Sequence, residues 1–403
     1  MESALTIPYP NPPPQRGRED ITVTPFDMRL IQRGARLRRS PFFEATRRYG
    51  CRAYTVYNHT FLPSYYDDPV TEYWHLIEHV AIWDVGVERQ VEISGPDALT
   101  LTQRLTPRDL SQCAVGQGKY VLITADDGGV INDPVLLRLA EDRFWLSLAD
   151  SDVLLWARGV AVNAGLKVDI QEPDVWPLQL QGPKSKPLVA DLFGDRVASM
   201  PYYAFSEASL DSIPVVVTRT GWTGEVGYEI YLRDGSRGDA LWERVMTAGK
   251  GYQIRPTGPS DIRRIEAGIL NYGADMTLAD NPYELGLGWT VDLDKAQDFI
   301  GRAALRRIKA EGVRRKIAGI EIEGAPIEFN ETKWAVRQDG RPAGHVTSAI
   351  HSPRLKKNIG YAMLPLPAAE LGTRLTIATP WGERAARVVP KPFIDPKKAI
   401  PKS

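Results

Sequence analysis

The clearest alternation of apolar and polar positions runs from Gly227 to Leu232, with Tyr228, Ile230 and Leu232 on one side of a strand and Glu229 and Tyr231 on the other. Just before it, Gly221, Gly224 and Gly227 allow the tight turns that bring backbone close to a ligand. The same two-residue rhythm in Trp83, Val85 and Val87 predicts a half-buried strand, and residues 54–63 read as an extended aromatic stretch with Tyr57 and His59 on one face. Helices are expected at 40–50, 71–82, 101–110, 151–162 and 239–248, and from Arg263 to an end at Gly268 or Gly273. Residues 116–124 and 126–136 predict a hairpin turning on Asp127-Gly128-Gly129, followed by a strand at 144–148. Beyond about residue 312 the pattern changes to short strands at 316–323, 334–337, 344–349, 358–363, 374–378 and 384–389, as in a small β-barrel or sandwich.

A chain of 403 residues is long enough for two or three domains. Its formal net charge of zero provides no global field for nucleic acid or a membrane surface. Cys51 and Cys113 are the only cysteines, which argues against a disulfide scaffold or a thiolate metal site and fits reduced thiols in a cytoplasm. No apolar run approaches the length of a membrane span, and the proline-rich start (Pro8, Pro10, Pro12, Pro13, Pro14) lacks the apolar core of a signal peptide. Arg33, Arg36, Arg38 and Arg39 read as a solvated basic arm. His75 and His79, at helical spacing beside Glu78, formally match an inverted zincin pattern but read as polar positions on an amphipathic helix, so no metal is expected.

The Glu229 strand places a carboxylate and an aromatic ring on one face. That pair suits a flat heterocycle with adjacent N–H donors, such as a pterin, although an ordinary hairpin strand with one polar face has the same pattern. There is no dinucleotide-binding glycine fingerprint, Walker loop, nucleophile elbow or Cys/His cluster with zinc or iron–sulfur spacing.

The stretch 219–232 resembles the folate-binding signature of the glycine cleavage T-protein family, in which a Tyr and a Glu seven positions later flank the pterin; Trp222 and Glu229 hold those positions here. Trp for Tyr is a departure similar to the dimethylsulfoniopropionate demethylase branch of that family. The segment 82–98 resembles the same branch, with Gly86-Val87-Glu88 where T-proteins carry Ser-His-Met. At the family's principal catalytic aspartate stands Asn132, followed by Asp133 at the second aspartate position; an Asn neither ionises nor moves a proton at neutral pH. Tyr120, Arg264 and Glu266 match family positions, as do the stretches 281–288, 344–353 and 357–361.

The resemblance implies an α+β fold: a three-domain T-protein-like cloverleaf with a tail at 1–39, two interwoven α+β domains at 40–311 and a C-terminal β-barrel domain at 312–403. It implies a tetrahydrofolate-dependent demethylase that takes a methyl group from a small donor, dimethylsulfoniopropionate first. The alternatives are a glycine-cleavage-type aminomethyltransferase, an O- or N-demethylase and a non-catalytic folate-binding protein. The expected partners are a small-molecule methyl donor and, as one option, a second copy of the chain. The residues carried over are Asn132, Asp133 and Tyr57 for chemistry, Glu229, Trp222, Tyr231, Tyr120 and Arg264 for tetrahydrofolate, and Trp83, Val87, Glu88 and His59 for the donor. Trp83, Tyr57 and Trp222 would offer aromatic faces to a cation, worth about 0.5–2 kcal/mol each.

Overall fold

A computed structural model describes residues 34–403. The proline-rich segment and Arg33 lie outside the described residues. Two antiparallel-dominated sheets and a barrel make up the fold. One sheet has five strands in the order Asp169–Gln171, Gln90–Ser94, Arg143–Ser147, Val135–Ala140 and Gly118–Tyr120. The other has six, in the order Phe205–Leu210, Ile213–Thr218, Gly227–Leu232, Trp176–Gln181, Ala81–Asp84 and Arg255–Pro256.

Each sheet packs helices on its outer face. Leu178, Leu180, Val217, Tyr228, Ile230 and Leu232 meet Leu188, Val189, Leu241, Trp242 and Val245 of the helices Ser185–Phe193 and Gly238–Gly249. Val91, Ile93, Leu136, Phe144 and Leu146 meet the helices Ala98–Leu105 and Val153–Ala164. The inner faces meet through Leu137 and Trp145 of one sheet and Val216 and Tyr231 of the other. The alternation along 227–232 therefore sorts its residues as expected, though both sides of the strand are buried.

The expected strand over Trp83, Val85 and Val87 is instead a crossing between sheets. Ala81–Asp84 belongs to the six-stranded sheet and Gln90–Ser94 to the five-stranded one, with a turn between them closed by Glu88 N–H to the Val85 carbonyl at 2.9 Å. Gly86 is required in that turn, because a Cβ there would lie 2.7 Å from the Ser40 Cβ. The helix expected at 71–82 runs from Pro69 to Glu78, capped by Asp68; the apolar residues after it enter the sheet instead.

Residues 54–63 form a hairpin, Ala53–Tyr57 with Thr60–Tyr65, and not one extended strand. Asn58 and His59 turn it at φ 48° and 57°, the left-handed pair that suits a two-residue hairpin loop. Arg38 is not part of a solvated arm. Its backbone pairs with His59 and Phe61 at 2.7 and 3.1 Å, and its guanidinium holds Glu172 and lies over Trp176.

The six C-terminal strands appear where expected and close into a barrel. The helix Asp261–Glu266 joins it to the sheets. Arg264, fully buried, donates to Asp261 at 2.8 Å, Asp275 at 2.5 Å and Ser348 of the barrel at 2.9 Å. Glu266 accepts from Tyr73 at 2.9 Å and from Ser352 at 2.6 Å. No helix among the described residues is long and apolar enough to cross a membrane.

Candidate active site

The strand registers place Thr218, Glu229, Gln179 and Trp83 opposite one another across four neighbouring strands, so these side chains share the inner face of the six-stranded sheet. Glu229, 4% exposed, accepts from Gln179 Nε2 at 2.7 Å and from the hydroxyls of Thr220 and Tyr231 at 2.8 Å each. Burial raises its carboxyl above the usual range, against these hydrogen bonds. Gln179 Oε1, in turn, is buried without a hydrogen-bond partner. An orphaned acceptor beside a carboxylate suits a ligand with several N–H donors.

Tyr231 does not present a free ring. It is fully buried against Trp145 (6.3 Å between centroids) and positions the Glu229 carboxylate through its hydroxyl. Trp83 is likewise enclosed, 1% exposed, with its indole N–H donated to Thr257 at 2.6 Å. It packs in one cluster with the half-buried Trp222. Trp222 lies under the Arg264 guanidinium at 5.6 Å, so Arg264 meets the site through that ring while its hydrogen bonds tie helix to barrel.

The five-stranded sheet supplies the opposite wall. Gln90 and Ser147 are cross-strand partners on its inner face, joined at 2.8 Å, and Ser147 donates to Glu88 at 3.1 Å. Glu88 and Tyr57 are both half-buried and near enough to Asp133 to feel its charge. Burial first, then Glu229 and Asp133, push the Glu88 carboxyl well up. Tyr120 donates to Asp133 at 3.0 Å, and burial lifts the Asp133 carboxyl to about 7 despite that bond. A carboxyl raised this far from an ordinary value of about 3.9 favours the fold at low pH and loses that contribution as pH rises through about 7. Thermal unfolding of the wild type should therefore weaken from pH 6 to 8 more steeply than that of Asp133→Asn. Parallel pH profiles would sink the assignment.

Asn132 is fully buried. Its amide donates to the Ala149 carbonyl at 3.0 Å and to Ser151 at 2.8 Å, and accepts from the Ala149 N–H at 3.1 Å. Its polar atoms hold the 149–151 turn, which is a structural duty and not proton transfer. Val87 is 2% exposed and offers only its carbonyl, to Asn58 at 3.1 Å. His59 is exposed at the hairpin turn, away from the strand face it was expected to share with Tyr57.

Several neighbours of the site were missed in the sequence. Tyr202 and Tyr203 pack edge to face at 4.7 Å and both feel the Glu229 charge. The adjacent tyrosines after Pro201 were the available signal, as was the alternation of Gln179 and Gln181 with leucines in an otherwise apolar strand.

The profile of the GCVT N-terminal domain matches residues 42–295, and that of the glycine cleavage T-protein C-terminal barrel domain matches residues 315–395. The chain belongs to the glycine cleavage T-protein family. Within the T-protein family, it is 40% identical over 353 residues to the dimethylsulfoniopropionate demethylase of Ruegeria pomeroyi, covering 88% of this chain and 96% of that protein. It is 31% identical over 367 residues to the aminomethyltransferase of Bacillus subtilis, covering 89% of this chain and 99% of that one. The glycine cleavage system aminomethyltransferase T of Bartonella henselae has the same fold, with a TM-score of 0.81 at 24% identity over 89% of this chain and 98% of the other.

Proposed function

We propose that this T-protein family member is a demethylase that transfers a methyl group from a small sulfonium, dimethylsulfoniopropionate or a close chemical analogue, to tetrahydrofolate in the cytoplasm. The observation that carries this reading is the full engagement of the Asn132 amide at the position where the family resemblance puts an acid. A sulfonium leaves as a neutral sulfide, so its demethylation requires no proton from that position. The 40% identity to a dimethylsulfoniopropionate demethylase supports the same choice.

The inner sheet face fits a pterin: the Glu229 carboxylate and the orphaned Gln179 Oε1 are acceptors for its N–H groups, with Trp222 and Tyr120 as nearby rings. Tetrahydrofolate, when bound, supplies the nucleophilic nitrogen N5 that receives the methyl group. The protein's own task is then positioning and exclusion of water. Such orientation contributes several kcal/mol, up to roughly 7–11 in model systems. Tyr57, Glu88 and Asp133 form the wall that receives the donor, on this reading, while buried Trp83 and Val87 act from behind it.

Asp133 also supports a second reading, aminomethyl transfer, because a carboxyl lifted to about 7 is able to act as an acid at neutral pH. Purified protein should be incubated with tetrahydrofolate and, in parallel, dimethylsulfoniopropionate, glycine betaine or a methoxybenzoate, followed by detection of 5-methyltetrahydrofolate. The sulfonium should react fastest by far. Methyl transfer from the methoxybenzoate alone would reject the sulfonium reading and leave folate binding intact.

A further inference from the structure

Glu88 accepts one side-chain hydrogen bond, from Ser147 at 3.1 Å, and its charged neighbours, Glu229 and Asp133, are acidic. Tyr57 and Tyr231 face the same groups from the hairpin and the six-stranded sheet. Arg89, the next residue, turns to Glu172 at 2.6 Å. Gln90, 1% exposed, spends its amide N–H groups on the Glu88 carbonyl at 2.7 Å and on Ser147 at 2.8 Å, which leaves its Oε1 buried without a partner. A buried oxygen without a donor, on an amide linked through Ser147 to a half-buried carboxyl, is an arrangement completed by positive charge.

We propose that Glu88 sets the choice of methyl donor: with the Gln90 amide tied to it through Ser147, its carboxylate receives a positively charged sulfur or nitrogen centre and disfavours neutral or anionic methyl ethers. The inference rests on the demethylase reading for its chemistry but not for its binding step. Burial first, then the nearby Glu229 and Asp133 charges, hold the Glu88 carboxyl well above the usual range, while Ser147 donates to it and works the other way. An arriving cation favours the carboxylate, and the displaced proton passes to solvent, so donor binding and proton release are linked.

Trimethylsulfonium, a cation with no carboxylate of its own, isolates the binding step. Calorimetry should be run at pH 7 with tetrahydrofolate present, on the wild type and Glu88→Gln, in two buffers of different ionisation enthalpy. The wild type should bind this probe roughly ten- to a hundredfold more tightly than the variant and should alone release protons. A cooperative thermal unfolding transition of Glu88→Gln would verify its fold. Equal affinity for trimethylsulfonium in both proteins overturns the proposal. A comparison that needs no variant is trimethylsulfonium against neutral dimethyl sulfide on the wild type, where absence of a preference overturns it equally. Turnover of dimethylsulfoniopropionate is scored separately: proton-linked cation binding without methyl transfer would keep this inference and remove the demethylase reading.

Discussion

Glu229→Gln should bind tetrahydrofolate roughly ten- to a hundredfold more weakly than the wild type, a loss of about 1–3 kcal/mol. The wild-type carboxylate is acceptor-only, fixed by donors from Gln179, Thr220 and Tyr231. An amide at this place turns an N–H group either toward one of those donors or toward the ligand, so one buried polar contact is lost whichever way it faces. Calorimetric titration with tetrahydrofolate measures the effect, and thermal unfolding of the same protein separates it from loss of fold. An unchanged dissociation constant would remove Glu229, and with it the pterin site on the inner sheet face.

Asn132→Asp should destabilise the protein by about 3 kcal/mol at pH 8 without raising turnover on a sulfonium. The Ala149 carbonyl and the Ser151 hydroxyl oxygen now receive N–H groups, and in the variant they face a carboxylate oxygen inside a fully buried site. Desolvation raises the new carboxyl above its unfolded value, so the acid is the form that the fold tolerates. The deficit therefore shrinks as pH falls through the raised value and is largest above it. Denaturant unfolding at pH 5 and pH 8 checks the sign. A large gain in demethylation by the variant would mean that a proton is needed after all, and direct methyl transfer to folate would have to be given up.

The two predictions differ in how far they were legible in the sequence. The Glu229 position was readable, because a strand's period of two is local and its glycines precede it in the chain. The meaning of Tyr231 was not: being on the same face as Glu229 did not reveal that Trp145 of the other sheet covers its ring. The burial of Trp83 and Val87 was hidden for a related reason. An aromatic or β-branched residue near a ligand-binding segment has the same pattern whether it lines the site or supports the residue that does, and only burial of 1–2% exposure separates the two. The crossing at 85–89 was invisible because its alternation mimics a strand; what breaks it is the exchange of one sheet for the other.

The sequence by itself determined the six barrel strands, the helix that ends near Gly268, the hairpin around Gly128 and the sorting of residues along the Glu229 strand. These follow from hydrophobic period, glycine turns and helix ends, which act over a few residues. Family membership was legible as well, through ordered short blocks along the chain. Tertiary structure alone decided that Asn132 is a hydrogen-bonding strut, that Arg264 fastens the barrel to the sheets, and that Gln179, Glu88 and Tyr203 come together around Glu229 from different elements. Those facts depend on partners up to about a hundred residues or more away, brought together when two interwoven sheets close face to face, and the free energy of a buried polar group is fixed by the partners it finds there.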